Sequence, residues 1–456
     1  MPRLTKITAS IGPSCETERV LRQMIQAGVN VCRINFSHDT GDIQGHKIDL
    51  IRKVAKKLET NVAIMVDLQG PKHRIGNFLT EEKYPLVIGQ EFVFDSNPVP
   101  GNSGRVNLPD NDVLRSLKVG ERILLNDGKI EMVVTNVSDG LVKTRVVRGN
   151  EIWSRRGFNL PDTDIDTPIL TKKDCADLEY AITKNPDFIA VSFVQRPEDI
   201  ATVRDFITAR TSNPIKIIAK IERRNAVERI SEIASAADGI MIARGDLAVE
   251  LPFEQVPAIS RHIIRECRRL NRPVIMATQM LSSMVENEFP TRAEISDVAN
   301  AAYLRTDSTM TSEETTIGAH PVTVIETMDK ILSASDTDAA NHPHDWVRSE
   351  NNDENDWSRS VSSMAFLNHA VAIIVFARDS DGVTEISCRR PDVQIIAVCD
   401  SQIIANQSCL LRGVISFCTP DLFAQRDFIT IAKQCEIKSG KVVIVDGDDV
   451  SLRDLD

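Results

Sequence analysis

Between Ile217 and Glu250 the chain reads IIAKIERRNAVERISEIASAADGIMIARGDLAVE, and two carboxylates occupy equivalent places in it. The apolar run Ile217-Ile218-Ala219 leads into Lys220 and Glu222; a second, Gly239 to Ala243, leads into Arg244, Gly245 and Asp246. The residues between carry Ala226, Val227, Ile230, Ile233, Ala234 and Ala237 at helical spacing, which predicts a helix over 224–236. Strand, helix, strand is a parallel unit, and parallel neighbours bring their C-terminal ends side by side. Glu222 and Asp246 then meet beside a lysine and an arginine. Hard oxygens so placed suit a divalent cation, above all magnesium, which takes one or two carboxylates together with substrate phosphate oxygens. A surface ion-pair cluster is the alternative, but apolar strands rarely end in such dense charge.

The elements that must hold this pair recur along the chain. Strand patterns at Leu4–Ile11, Val29–Phe36 and Val62–Leu68 alternate with helical ones at Glu18–Ala27 and Asp49–Leu58. The second strand sends Arg33, Asn35 and Ser37 to one side at period two, and the third ends at Asp67. From 70 to 159 the texture changes to short β-rich runs punctuated by Asn126-Asp127-Gly128 and Asp139-Gly140, with no convincing helix, which predicts an inserted β-domain. The α/β rhythm resumes with a helix capped by Thr171 and with strands at Asp187–Val194, Ile215–Ile221, Gly239–Ala243, Pro273–Thr278 and Ser308–Ser312. About eight parallel strands close a TIM barrel, whose active site lies at the strands' C-terminal ends; an open doubly wound sheet is the rival. A polar stretch over 335–357 reads as a linker, and short apolar runs beyond it as a small α/β domain. The expected fold is therefore α/β, a TIM (β/α)8 barrel over 1–69 and 160–335, a small β-barrel lid inserted at 70–159, and a C-terminal α/β domain over 336–456.

Bulk properties narrow the classes. At 456 residues, 42% hydrophobic and 26% charged, the chain has the makeup of a soluble protein of two or three domains. A net charge of -11 supplies no basic footprint for nucleic acid, and no run approaches a membrane span. The opening residues go directly into a strand pattern without a signal-peptide core, and the 9 scattered cysteines form no CxxC pair; both fit a reducing cytoplasm.

Ten segments, among them TKITASIGP, CRINFSH, DLQGPKHRIGNF, GFNLP, LTKKDCADL, AKIE, MIARGDLAVE and FPTRAEISDVANA, occur in the order and spacing of the pyruvate kinase family, which the chain resembles over nearly its whole length. The resemblance implies phosphoryl transfer from phosphoenolpyruvate to ADP, giving ATP and pyruvate in glycolysis, in a homotetramer. It implies Mg2+ or Mn2+ on Glu222 and Asp246, stabilising the enolate. Lys220 corresponds to the catalytic lysine at the transferring phosphoryl group, and Arg33 to the arginine that holds that group. Arg74, Lys173, His38 and Asn35 fall on the nucleotide side, and an exposed helix-start lysine is an equal reading of Lys173. The start of the helix at Gly245 and Asp246 offers N–H groups to the substrate carboxylate. Thr278 matches a threonine near the protonated face of the enolate, ordering water rather than acting as the acid. Ser312 and Glu314 match substrate-side residues after the eighth strand. Asn35, Ser37, Asp67 and the carbonyl of Leu68 map onto a monovalent-cation site. There Lys72 resembles the lysine of members that need no potassium, because an ammonium near Asp67 can supply the missing charge.

Some positions depart from the family pattern. Arg305 stands at a turn glycine, the eighth strand Ser308-Thr309-Met310-Thr311 is unusually polar, Glu313 replaces a small residue, and Ala248 replaces a glycine. If Glu313 faces inward, its charge opposes phosphate. The loop from Ala377 to Thr384 carries Asp379 and Asp381, where a regulatory sugar bisphosphate would be repelled. A catalytically weak paralogue with a binding or regulatory role, and a magnesium-dependent lyase on a similar barrel, are the competing readings. The inserted domain and Lys220 argue against the lyase.

Overall fold

The computed structural model describes residues 3–138, 140–163, 165, 167–341 and 357–455. Eight parallel strands form a closed barrel in sequence order: β1 Lys6–Ser10, β2 Val31–Asn35, β3 Ala63–Asp67, β4 Phe188–Val191, β5 Lys216–Ile221, β6 Gly239–Ala243, β7 Val274–Ala277 and β8 Ser308–Thr311. The inner face explains why the strands end in charge. Val31, Ala63, Met65, Phe188, Ala190, Ile218, Met241, Ile275 and Met310 fill the lower barrel. Two residues further along the same faces stand Arg33, Asp67 and Lys220. Side chains alternate at period two, so each strand is apolar at its base and chemical at its rim.

The polar β8 is fully buried yet satisfied. The Ser308 and Thr8 hydroxyls meet at 2.8 Å, Thr309 Oγ1 lies 3.1 Å from Met328 Sδ, and the Thr311 and Thr315 hydroxyls meet at 3.0 Å. Each hydroxyl left alone would cost about 1–3 kcal/mol, so the strand is tolerated through its partners. Arg305 adopts φ 56, the left-handed conformation that suits glycine. Its guanidinium reaches the Arg390 carbonyl at 3.1 Å and Asp392 at 3.0 Å in the C-terminal unit. Glu313 is exposed, so its charge does not enter the barrel.

The inserted segment forms a six-stranded sheet hydrogen-bonded in linear order, with a two-stranded ribbon of Tyr84–Pro85 and Glu151–Ile152 beside it. Both pack on one core around Phe92, Phe94 and Phe158. It holds a helix the texture concealed, Asn111–Ser116, capped by Asp110. The helix expected over 224–236 is two pieces, Arg224–Glu228 and Ile230–Ala236, broken at Arg229. The stretch expected to be a linker begins as helix: Pro321–Asn341 runs on through it and buries Asp336. The remainder, 342–356, lies outside the described residues. The C-terminal unit is a five-stranded sheet in which Ala372–Ala377 is central and Asp449–Asp454 is an antiparallel edge. Its residues Cys409 and Leu410 close the barrel's lower end.

Candidate active site

At the rim of β3, β4 and β5 a buried network joins the predicted charges. Lys220 Nζ lies 3.2 Å from Asp67 Oδ1 and 3.1 Å from Glu222 Oε1, and donates to Ser192 Oγ at 2.6 Å. Arg33 Nε reaches Asp67 Oδ2 at 2.6 Å, and its Nη1 donates to Ser10 Oγ at 2.8 Å. The second Glu222 oxygen accepts the Phe193 N–H at 2.6 Å. Burial works to lower the Lys220 pKa, but Asp67 and Glu222 outweigh it and hold the ammonium above its ordinary value. Burial raises Asp67, and Lys220 and Arg33 more than reverse that, so it stays an anion. Glu222 goes the other way: burial, helped by repulsion from Asp246, raises its pKa although Lys220 opposes the rise.

Asp246 lies in the first turn of its helix, Arg244–Glu250, at the end of β6 and is partly exposed. Arg244 is not its partner: that guanidinium binds Asp297 at 2.7 Å and the Thr278 carbonyl at 2.7 Å. The cation facing Asp246 is Lys72, at 3.9 Å. The expectation that Lys72 sits against Asp67 is therefore corrected in this conformation; the charges on Asp67 are Arg33 and Lys220. Among the described residues no group of three or more His, Cys, Asp or Glu gathers as a metal site. Two carboxylates with open positions fit magnesium, which keeps water and substrate oxygens, and fit a structural zinc poorly. Lys220, Arg33 and Lys72 balance Asp67, Glu222 and Asp246, so a divalent ion would leave the rim positive toward a phosphorylated anion.

Other expected residues arrive at the same rim with different duties. Thr278, at φ 67, accepts the Gly245 N–H at 2.8 Å and donates to the Ala277 carbonyl at 2.7 Å. The Gly245 N–H is thus taken by Thr278 and is not directed at a substrate carboxylate. Glu314 is buried with both oxygens on backbone, the Leu281 N–H at 3.1 Å and the Ser312 N–H at 2.6 Å. It shapes the loops after β7 and β8 instead of presenting a free carboxylate. Lys173 lies in the first turn of the helix Lys172–Thr183, whose start Thr171 and Asp174 cap reciprocally; it pairs with Asp177 and donates to the Phe36 carbonyl at 2.6 Å. That contact ties it to the loop after β2. Asn35 Oδ1 accepts the Ser37 N–H at 3.0 Å, and the Leu68 carbonyl accepts Ser192 Oγ at 2.7 Å. Arg74 is exposed, donating to the Arg155 carbonyl at 3.1 Å, and His38 is exposed on the loop after β2.

Sequence reading missed Ser192 and Phe193. Ser192 links Lys220 to the Leu68 carbonyl. Phe193 holds φ 60, an uncommon conformation for a bulky residue, and presents its N–H to Glu222. The signal was Ser192 itself, a polar residue closing the apolar run at β4 as Asp67 and Lys220 do on their strands.

A closed barrel with a buried lysine between carboxylates, acidic residues at two strand ends and an inserted β-domain suits a metal-assisted phosphotransferase, a class that the site's chemistry suggests and the fold alone does not fix. Family comparison makes it specific. Residues 2–325 match the pyruvate kinase barrel domain and residues 355–452 the pyruvate kinase alpha/beta domain. A pyruvate kinase of Methylorubrum extorquens is 39% identical over 92% of this chain and 87% of its own length. One from Staphylococcus aureus is 38% identical over 90% of this chain and 71% of its own. The crystal structure of a pyruvate kinase from Cryptosporidium parvum superposes with a TM-score of 0.93 at 30% identity, covering 100% of this chain and 96% of that one. The chain belongs to the pyruvate kinase family, and its enzyme class is that of the family, a glycolytic phosphotransferase.

Proposed function

We propose that the chain transfers the phosphoryl group of phosphoenolpyruvate to ADP at the rim of β2, β3, β5 and β6, with no need of potassium. The carrying observation is the Lys220 ammonium, kept charged inside the barrel by Asp67 and Glu222. Phosphoryl transfer is catalysed by positioning and by fixed charge on the phosphoryl oxygens. Lys220 and Arg33 supply that charge from one side, anchored by Asp67 so that neither must reorganise when substrate arrives. Glu222 and Asp246 would hold Mg2+ or Mn2+, which supplies Lewis-acid stabilisation of the enolate oxygen when bound. Lys173, Arg74, His38 and Asn35 border the nucleotide side. Thr278 orders the enolate's other face; with its proton on the Ala277 carbonyl it acts through a water, not as the acid.

Lys72 supports potassium independence by its charge. It stands 3.9 Å from Asp246, on the segment that leads from β3 into the inserted domain. Asn35 Oδ1, Asp67 and the Leu68 carbonyl already accept hydrogen bonds from the Ser37 N–H, Arg33 and Ser192, which lowers the demand for a monovalent ion there. Sugar-bisphosphate activation is not part of this reading. Asp379 Oδ1 accepts the N–H groups of Asp381 and Gly382 at 3.0 and 3.2 Å, so the start of the helix Asp381–Cys388 is occupied by the chain's own carboxylate. A homotetramer is supported by apolar side chains left bare on the barrel exterior, Phe253 and Phe289 each at 78% exposure. A reducing, cytoplasmic setting is supported by free thiols at every described cysteine. No helix among the described residues is long and apolar enough to cross a membrane.

The test is pyruvate formation from phosphoenolpyruvate and ADP with magnesium, in potassium-free buffer and then with potassium. Full turnover without potassium is expected, unchanged by a sugar bisphosphate, and Lys72→Glu is expected to impose a potassium requirement. Turnover only with potassium would keep the kinase and discard the role of Lys72. Folded protein that turns over in neither buffer would favour the non-catalytic paralogue.

A further inference from the structure

The segment returning from the inserted domain borders a polar cleft of about 250 Å3 whose lining includes none of Lys220, Asp67 and Arg33. Residues 160–163 form one wall; Gln195, residues 223–225 and Glu250 form the other. Two guanidiniums face it, and the Nε atoms of Arg223 and Arg224 are both buried with no hydrogen-bond partner. Asp162, the nearest carboxylate on the hinge, is already spent: both its oxygens bind Arg122 at 2.8 Å. Glu250 gives one oxygen to Asn159 Nδ2 at 3.1 Å, and its burial favours the neutral acid although Arg223 opposes this. Arg223 and Arg224 thus share the cleft with two carboxylates, of which Asp162 is already taken by Arg122 from outside the lining. Two guanidiniums that each keep an unpartnered Nε are forks the chain itself leaves partly unsatisfied.

We propose that this cleft binds a small phosphate dianion, either inorganic phosphate or a phosphomonoester. Guanidinium forks match phosphate oxygens in pairs, and one tetrahedral dianion can engage two forks where a single carboxylate engages one. The volume admits phosphate with a short ester chain. The site is coupled to the active centre through one residue. Arg223 lies over the Phe193 ring at 5.3 Å, and the Phe193 N–H holds Glu222 at 2.6 Å. Its other wall is the chain returning from the lid. An occupant thus contacts both the hinge and the support of a metal ligand, and it would alter metal and substrate affinity before it altered the chemical step.

Calorimetric titration of the full chain tests this without requiring turnover, so its failure is separable from failure of the kinase reading. Sodium phosphate should show two sites, one at Arg33 and Lys220 and one in the cleft. Arg223→Gln/Arg224→Gln should remove one and Arg33→Gln the other, each weakening its site by at least about tenfold, the loss expected for a charged hydrogen bond. Arg224→Lys keeps the charge, preserves folding if the double variant does not, and should still weaken the cleft by losing the fork. Glycerol phosphate bound more tightly than phosphate would mark the monoester as the ligand; equal binding would mark inorganic phosphate. Two sites persisting in the double variant, or succinate competing as well as phosphate, would overturn the proposal.

Discussion

The Lys220 ammonium sits between Asp67 and Glu222, with Ser192 completing its shell. Each partner constrains the others, so the lysine serves the ground state as well as catalysis. Lys220→Ala removes the charge on the transferring phosphoryl group, and kcat should fall by at least about 10²–10³, the range for losing one preorganised electrostatic contact. It also leaves Asp67 with Arg33 alone and Glu222 without its paired cation, an uncompensated buried charge of the kind that costs about 3–5 kcal/mol. Magnesium should restore part of that loss, so the variant's Tm should rise with added Mg2+ by more than the native enzyme's. Equal rises would mean that Lys220 does not neutralise Glu222. Lys220, Glu222 and Asp246 were legible because dense charge after an apolar run is rare. Thr278 and Glu314 were legible as positions but not as roles, because hydrogen bonds to Gly245, Leu281 and Ser312 depend on loops that bring distant residues together.

Among the elements, the lid is tied to its hinge by a histidine in an apolar setting. His73 Nδ1 lies 3.1 Å from Asp110 Oδ2, and its Nε2 is buried without a partner. Burial lowers its pKa below the ordinary 6.5; Asp110 opposes the shift, and Arg223 on the barrel side adds to it. An unfolded chain then takes up the proton at higher pH than the folded one. The neutral histidine's contribution to stability is present above pH 6.5 and is lost as pH falls from there through the folded value. Thermal unfolding should show Tm declining between about pH 7 and 5, with a shallower decline in His73→Leu. Asp110 keeps its capping bonds to Asp112 and Val113 in that variant, so the lid helix survives. Identical slopes would show that His73 is protonated at no cost. Elements with strong periodicity, such as β6 and the helix after Thr171, were readable to within a residue or two. The break at Arg229 was not, since both halves share one apolar face and only backbone dihedrals at the junction separate them. The edge strand Asp449–Asp454 was hidden by its polar composition.

Across the whole molecule, the floor of the barrel is joined to the C-terminal sheet by buried charge. Asp307, which begins β8's approach, accepts both Nη groups of Arg390 at 2.7 and 2.5 Å, the Val274 N–H at 2.9 Å and the Arg412 N–H at 3.1 Å. Asp336 accepts Arg412 at 2.7 Å and the N–H groups of Leu4 and Thr5 at 2.8 Å each. The sequence showed three units by texture but gave no sign of this seam, because its residues are scattered from Leu4 to Arg412 and each looks like an ordinary surface charge. Arg305 makes sense only here, since its bond to Asp392 crosses the same boundary. That pair is partly exposed and is worth about 1 kcal/mol or less, whereas Arg390 and Asp307 are both fully enclosed. Arg390→Met should therefore cost about 3–5 kcal/mol by stranding Asp307, while Arg305→Gly should be nearly neutral because relief at φ 56 offsets the lost pair. Calorimetry should resolve the Arg390→Met variant into two transitions, the C-terminal sheet melting first and the barrel second, with the native enzyme melting in one. A single transition at the native midpoint would mean that apolar contacts through Cys409 and Leu410 suffice to hold the two units together.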